Sequence, residues 1–311
     1  MSGYIARRVL QIIPVLFGVT LIVFLMIRLK GDPVQQLVPD WYSEEQIQEV
    51  RVAYGFDRPI HVQYVSFLSR AVRGDFGRSF HNRQPAWDMI KKAIPRTAQL
   101  ALAAFVLGVV IAFPLGIISA LRRNTILDLA VTGFAVWGRS LPNFWLGIML
   151  ILVFAVTLRW FPVSGTGAIS GQPFLKHLFL PAFTLSMGLI TTLTRLIRSA
   201  VLEVIREDYV TTARAKGLRE RVTIVRHVLR NALIPVVTVM GLQIAWLMGG
   251  SVIIEQVFAW PGMGRLMLQA IYARDNSVVQ AGLLVTSLII MVSNLVVDLL
   301  YTVLDPRIRY S

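Results

Sequence analysis

Apolar residues run through this chain in six long blocks separated by polar stretches. The blocks cover residues 9–29, 95–121, 127 to about 158, 178 to about 196, 233–254 and about 280–304. Each is close to or above the roughly 20 residues that cross a hydrocarbon core as a helix, so the pattern predicts an all-α membrane protein with six transmembrane helices. Arg7 and Arg8 precede the first block, and Arg28, Lys30 and Gly31-Asp-Pro33 follow it. A signal peptide would carry a shorter apolar core and then a small-residue cleavage site, so the first block is read as an uncleaved span. Residues 31–94 are polar and mixed in charge, long enough for a small extracytoplasmic subdomain between spans one and two. Within them the stretch from Trp41 to Arg51 predicts a short helix capped by Ser43, with Glu44 and Glu45 in its first turn complementing the helix dipole. The third block is long enough to tilt or to leave the membrane. The domain reading is therefore 1–30 as N-terminus and first span, 31–94 as the extracytoplasmic loop, and 95–311 as the core.

Composition sharpens this picture. Of 311 residues, 55% are hydrophobic and only 15% charged, against about a quarter charged in soluble domains, and mean hydropathy is +0.64. A net charge of +14 in a soluble chain would point to nucleic acid. Here it fits Lys and Arg held on the cytoplasmic side near anionic lipid, and nucleic acid is not an expected partner. Among the short loops, one side holds Arg122, Arg123 and nine Lys or Arg between Arg195 and Arg230, while the other holds mainly Arg159, Lys176, Arg265 and Arg274. The bias puts both termini in the cytoplasm. With no cysteine, no disulfide framework or thiol site is possible. No GxxxxGK[ST], HExxH or GxSxG occurs, so phosphate cradling and the common hydrolytic motifs are missing. His61, His81, His177 and His227 lack paired ligand spacing and are read as solvated, so no metal site is expected.

The most charged stretch of the apolar region is Asp208-Tyr-Val-Thr-Thr-Ala-Arg-Ala-Lys-Gly217, continuing to Pro235. Val201, Val204, Ile205, Tyr209 and Thr212 recur at helical spacing, leaving Arg206, Asp208 and Arg214 on other faces. Gly217 supplies a left-handed position where a first helix can end. A second short helix would place Val222, Val225, Val228 and Leu229 on one side and Arg219, Arg226 and Arg230 elsewhere. Two short helices joined at a glycine outside the bilayer form either a knob for a soluble partner or an ordinary basic loop.

Thr211-Thr-Ala-Arg-Ala-Lys-Gly217, with His227-Val-Leu-Arg-Asn-Ala-Leu-Ile-Pro235 after it, resembles the EAA loop of ABC-importer permeases. Thr211 and Thr212 stand for Glu-Ala, and Arg230 stands where a proline is usual. Both departures resemble the dipeptide/oligopeptide/nickel branch, whose members often read ARAKG and then HxLRNAxxP. The resemblance extends along the chain. Tyr54-Gly-Phe-Asp-Arg-Pro59 and Gly74-Asp-Phe-Gly-Arg-Ser79 are similar to the family's LGLDxP and GDxGxS, and Arg159-Trp-Phe-Pro-Val-Ser-Gly165 to its GWFPxxG. Glu255-Gln-Val-Phe-Ala-Trp-Pro-Gly-Met-Gly264 is similar to ExVFxWPGxG, and Asp305-Pro-Arg-Ile-Arg-Tyr310 to the DPRxRY ending. The resemblance implies the type I importer permease fold in a bacterial or archaeal plasma membrane. It also implies a second permease, two ATP-binding subunits holding ATP and Mg, and an extracytoplasmic substrate-binding protein. No cofactor and no catalysis would belong to this chain. The coupling loop, about residues 201–232, would dock onto the ATPase through Tyr209, Thr212, Ala213, Arg214, Ala215, Lys216, Gly217, Leu218 and Arg219. The cargo could be dipeptides, longer peptides, glutathione, nickel complexes, opines or oligosaccharides.

Polar residues inside spans are costly in lipid and tend to face protein or a water path. Arg139 and Asn143 sit one turn apart in span three, where Pro142 removes a backbone hydrogen bond and frees a carbonyl that a pore can hydrate. Arg139 either lines a path that meets a peptide carboxylate or carbonyl, or pairs with an acid on another span or on the partner permease. Gln243 is a second candidate for the path. Thr191, Thr192 and Thr194 either line it or bond their own helix. Gly249 and Gly250 suit close helix packing. Asp298, near the cytoplasmic end of span six, is read as structural. The turn-rich loop containing Glu255, Phe258, Trp260, Pro261 and Gly262 is either a gate meeting the binding protein, as the resemblance implies, or a plug of the helix ends.

Overall fold

The computed structural model describes residues 2–29, 34, 41–53, 55–167 and 173–304. Expectations at Gly31-Asp-Pro33, at Tyr54, at the Asp305 to Tyr310 ending and for the Asp298 side chain lie outside the described residues. Thirteen α-helices are present among those described: α1 (Ser2–Leu29), α2 (Glu44–Ala53), α3 (Ile60–Val72), α4 (Ala86–Leu121), α5 (Ile126–Ser140), α6 (Asn143–Leu150), α7 (Phe174–Val204), α8 (Asp208–Ala215), α9 (Glu220–Val222), α10 (Arg230–Gly250), α11 (Val252–Val257), α12 (Met263–Tyr272) and α13 (Asn276–Leu304). π-helical segments continue α6 at Ile151–Thr157 and join α9 to α10 at Thr223–Leu229. The described residues contain no strand, only an isolated bridge between Arg78 and Pro85. Four helices are long and apolar enough to cross a membrane, or five if the bent pair α5–α6 counts as one span. A shorter apolar stretch, Leu10–Met26, lies within α1.

The chain divides into two compact units, Met1–Arg96 with Gly262–Leu295 and Thr97–Pro261 with Val296–Ser311. In the first, Ser43 opens α2 as expected. Its hydroxyl accepts the Gln46 N–H at 3.3 Å, and the Gln46 side chain accepts the Ser43 N–H at 3.0 Å, a reciprocal cap that satisfies two orphan donors. On α3, Tyr64 meets Thr20 at 2.8 Å and sets its ring edge-on to Phe17 and Phe24, while Phe67 is buried with Phe24 and Leu284. The turn after α3 is pinned by Asp75, which accepts the Gly77 N–H at 3.0 Å, and by Ser79, whose buried hydroxyl donates to Asp275. α4 begins at Ala86, earlier than the expected 95, because the Pro85 bridge and the buried Ile90 and Ala93 place the preceding turns in this unit's core. At 36 residues it is about 54 Å long, well beyond a hydrocarbon core.

The second unit is built around α7. In its most apolar window 72% of residues are buried, against 28% for α4, so α7 is the helix the others wrap. α4 comes close to it through small residues: a Cβ on Gly116 would stand 2.8 Å from the Ile197 Cβ and 2.9 Å from the Thr194 carbonyl oxygen. Small residues at such crossings let backbones pack where lipid offers no hydrophobic drive. Gly116→Val is expected to lower stability by about 1–3 kcal/mol through overpacking, seen as a lower thermal midpoint in detergent. Gly133→Val, with nothing within 4 Å of its Cβ, is the control, and equal midpoints would show that the close approach is not needed.

Two expectations are corrected here. The third apolar block is not one continuous helix: α5 and the α6 segment meet at 105°. Leu141 is extended at ψ 130°, the conformation a following proline imposes on its neighbour, and Pro142 at ψ 131° continues it. The second short helix of the basic loop is not separate either. Nothing between Arg219 and Pro235 breaks a helix, and an apolar helix runs Glu220–Gln243, so the helix of the fifth apolar block begins well before 233.

Candidate functional site

The basic loop forms a compact projection between α7 and α10. α7 ends at Val204, a turn over residues 205–207 follows, and α8 takes the chain from Asp208 to Ala215. That turn resets the helical phase. Val210 and Ala213 are therefore the buried residues of α8, whereas Tyr209 and Thr212, expected on the apolar face, are exposed. Arg214, Ala215, Lys216, Gly217, Leu218 and Arg219 are exposed as well.

The end of α8 is a Schellman motif. Gly217 N–H donates to Arg214 O at 2.9 Å and Leu218 N–H to Ala213 O at 3.4 Å, with Gly217 at φ +75° as the left-handed position. Across this turn Arg214 holds Glu220 with two hydrogen bonds, Nε to Oε2 at 3.2 Å and Nη2 to Oε1 at 2.8 Å. These bonds push the Arg214 guanidinium pKa up from its already high ordinary value. With both side chains well exposed, the pair adds at most about 1 kcal/mol; what it contributes is orientation. The Tyr209 hydroxyl accepts from Asn231 at 3.0 Å, tying α8 to the start of α10. The free surface combines apolar Leu218, Val222 and Val225 with Arg214, Lys216, Arg219, Arg221 and Arg226.

Arg139 closes α5 and Asn143 opens α6, so the 105° break separates them. Arg139 is exposed and donates to Thr192 Oγ1 at 3.2 Å; among the described residues no carboxylate pairs with it. Thr191 takes the second of its two expected roles and bonds its own helix: it is fully buried and donates to the Gly188 carbonyl at 3.0 Å, with its methyl packed toward Gly138 on α5. Thr192, the next residue, is the one that turns to Arg139. Gln243 is half-buried on α10, and no hydrogen bond among the described residues joins it to Arg139, Asn143 or Thr191.

The loop after α11 is packed rather than open. Phe258 is 2% exposed and Trp260 fully buried, with the Trp260 ring 5.7 Å from Phe174. Trp260 N–H donates to Glu255 O at 2.8 Å, and Gly165 N–H to Phe258 O at 3.0 Å. The buried Glu255 carboxylate accepts from Thr97 at 2.7 Å and Ser251 at 3.0 Å. Pro261 is exposed, and Gly262 leads into α12 in extended backbone.

Two buried groups escape a reading of the sequence. Asp128, 5% exposed, accepts from Arg198 Nε at 2.7 Å and Nη2 at 2.8 Å, from Ser119 Oγ at 2.5 Å and from the Asn124 N–H at 3.0 Å. A Thr-x-x-Asp signal at Thr125 marks it as the start of a helix, but not as Arg198's partner. His177, read as solvated, is buried in α7 with Nδ1 3.0 Å from the Ser164 carbonyl. The described residues contain no cluster of three His, Cys, Asp or Glu that could hold a metal.

Comparison with known proteins accounts for this architecture. Residues 112–310 match the family described as binding-protein-dependent transport system inner membrane component, and residues 1–101 its N-terminal companion. The oligopeptide transport system permease protein AppB of Bacillus subtilis is 38% identical over 316 residues, covering all of both chains. The di/tripeptide permease DppB of Pseudomonas aeruginosa is 39% identical and the glutathione permease GsiC of Escherichia coli 42%, each again covering all of both chains. Among solved structures, an inward-facing form of the MetNI methionine ABC transporter has a TM-score of 0.56 at 21% identity, covering 70% of this chain and 96% of that one. An amino acid ABC transporter crystallised with histidines has a TM-score of 0.55 at 12% identity, covering 69% and 94%; at these identities the fold alone is shared. Full-length identity and family match agree: the chain belongs to the binding-protein-dependent transport system inner membrane components, the permease subunits of ABC importers.

Proposed function

We propose that this chain forms one half of a membrane path for di- and oligopeptides, driven by ATP hydrolysis on separate subunits. The observation that carries the reading is the exposed α8 projection with its Schellman turn, a preformed patch between two long apolar helices. Tyr209, Thr212, Arg214 and residues 215–219 present the docking surface, and the buried Ala213 seats the helix on its own unit. Two copies of an ATP-binding subunit engage this projection and its counterpart on a second permease. ATP binding draws the ATPases together, moves α8 and turns the path from inward- to outward-facing. A substrate-binding protein then delivers cargo, and hydrolysis resets the cycle.

Six spans complete the topology: α1, α4, the α5–α6 pair, α7, the helix containing α10, and α13. Both termini lie in the cytoplasm, residues 31–94 lie outside, and residues 201–232 form the coupling loop. The setting is a bacterial or archaeal plasma membrane. The peptide reading rests on relatives named for oligopeptides and di/tripeptides. A glutathione cargo is the second reading, favoured by the 42% identical glutathione permease. Arg139 beside the α5–α6 break suits the carboxylate that either cargo carries. The loop of Glu255, Phe258, Trp260, Pro261 and Gly262 serves as the outer gate, in its shut position when Phe258 and Trp260 are buried.

Gentle detergent purification of the tagged chain, followed by mass spectrometry, tests the assembly. Recovery of a second permease and P-loop ATPases is expected. A chain that purifies alone and conducts cargo without ATP would refute the importer reading. In the reconstituted importer, Arg139→Gln is expected to lower uptake of carboxylate-bearing peptides about tenfold, the equivalent of one hydrogen-bonded charge at roughly 1.5 kcal/mol. Equal uptake of a dipeptide and its C-terminal amide by both proteins would remove Arg139 from the path.

A further inference from the structure

α5 is fastened to α7 at both of its ends. At one end the Asp128 carboxylate receives the Arg198 guanidinium in a two-bond fork at 2.7 and 2.8 Å. The remaining acceptor positions of Asp128 are taken by Ser119 Oγ from the end of α4 and by the Asn124 N–H from the turn between α4 and α5. At the other end Gly138 lets α7 come so near that a Cβ there would be 3.0 Å from Thr191 Cγ2 and 3.1 Å from Met187 Sδ, and Arg139 donates to Thr192. About 16 Å of helix lies between the two fastenings.

The two ends lead to different places. Arg198 sits about two turns before α7 ends at Val204 and gives way to α8. Beyond Arg139, α5 stops at Leu141 and Pro142, and the chain turns by 105° into α6. Pro142 has no N–H to bridge that joint. A stiff pair of helices therefore runs from the projection to an unwound joint. Apolar packing alone would let two helices slide or roll, whereas a planar guanidinium gripping both carboxylate oxygens fixes distance and rotation together.

We propose that the Asp128–Arg198 clamp makes α5 and α7 one lever, which delivers movement of α8 to the joint at Leu141 and Pro142. Asp128 and Arg198 are positioning residues and touch no cargo. The inference rests on α8 being the ATPase-coupling helix. It assigns a part to α5, and to a half-buried ion pair inside the permease, that the docking surface by itself does not require.

The test uses the whole importer in liposomes. The chain has no cysteine, so cysteines introduced at Leu129, 75% exposed on α5, and at Arg195, exposed on α7, carry the only two spin labels on this chain once any cysteines of the partner subunits are replaced by serine. In the otherwise native protein the label distance is expected to stay constant between nucleotide-free and ATP-trapped states, while a label pair across the α5–α6 joint, at Leu129 and Ile148, changes. With Asp128→Asn the 129–195 distance broadens on ATP binding, basal ATP hydrolysis persists, and uptake per ATP hydrolysed falls about two- to thirtyfold. Arg198→Lys, which keeps the charge but loses the fork, shifts both readouts in the same direction. A change of the 129–195 distance in the native importer overturns the lever, and so does an Asp128→Asn complex with native coupling. If Asp128→Asn does not assemble, the native distances decide alone. If the ATPases do not bind the chain at all, it is the reading of α8 that fails, not the lever.

Discussion

Trp260→Ala is expected to cost about 3–5 kcal/mol of stability. The indole is fully buried and set against Phe174 at 5.7 Å. Its backbone N–H closes a turn on the Glu255 carbonyl at 2.8 Å. In a membrane-embedded unit, apolar association of helices is not driven by release of water. The cost therefore comes from dispersion attraction forfeited around a cavity that the fixed helices cannot fill. Neighbouring geometry adds to it. Ala259 sits at φ +49°, a conformation that costs an L-residue roughly 1–2 kcal/mol and is held there by the burial of Phe258 and Trp260 on either side. Without the indole that strained residue can relax, and the turn that presents Pro261 opens. Unfolding in detergent, followed by intrinsic fluorescence of the remaining tryptophans, measures the loss. Ile253→Ala, at an exposed position of α11, should stay within about 0.5 kcal/mol. A Trp260→Ala protein as stable as that control would mean that the loop is only laid over the unit and does not plug it.

What the sequence made legible follows the range of the interactions involved. Local signals were read correctly: Ser43 caps α2, Gly217 takes the left-handed position, and the apolar runs are helical. Each depends on residues within one turn of one another. Errors begin where one helix must be phased against another. Tyr209 and Thr212 continued the apolar spacing of Val201 and Val204 only if the helix was unbroken, and the turn at 205–207 shifted burial to Val210 and Ala213. Pro142 was visible as a break, but a kink and a 105° bend share the same proline; packing of Leu146 and Gly147 into the unit settles which one forms. Only tertiary packing distinguishes Thr191 from Thr192, by setting the Thr191 methyl against Gly138. Asp128 and Arg198 are 70 positions apart, beyond the reach of spacing. Glu255 stands out by its motif, and Ser251 lies one turn before it, yet the bond from Thr97, 158 positions away, belongs to tertiary structure.

The largest functional effect is expected from Gly217→Val. Gly217 has open space around its Cβ position, so a side chain would meet no neighbour, and the whole penalty is conformational. A left-handed φ of +75° costs about 1–2 kcal/mol for an L-residue, and a β-branched one is least tolerant of it. On folding of the entire chain this is minor. It falls, however, on the turn that sets Arg214 opposite Glu220 and aims Leu218 outward, so the docking surface loses its prepared shape. One to two kcal/mol against the native turn lowers its ratio to other turn conformations about five- to thirtyfold, and uptake by the assembled importer should fall as that ratio falls. Asparagine, which enters the left-handed region more readily than other non-glycine residues, should retain more uptake than alanine, and alanine more than valine. That graded order separates a conformational requirement from a steric one, because asparagine is larger than alanine. Thermal midpoints of the isolated chain should meanwhile stay close together across the series, since the turn lies outside the packed unit. Native uptake by Gly217→Val, or a loss that scales with side-chain volume, would show that the turn's left-handed geometry does not govern coupling.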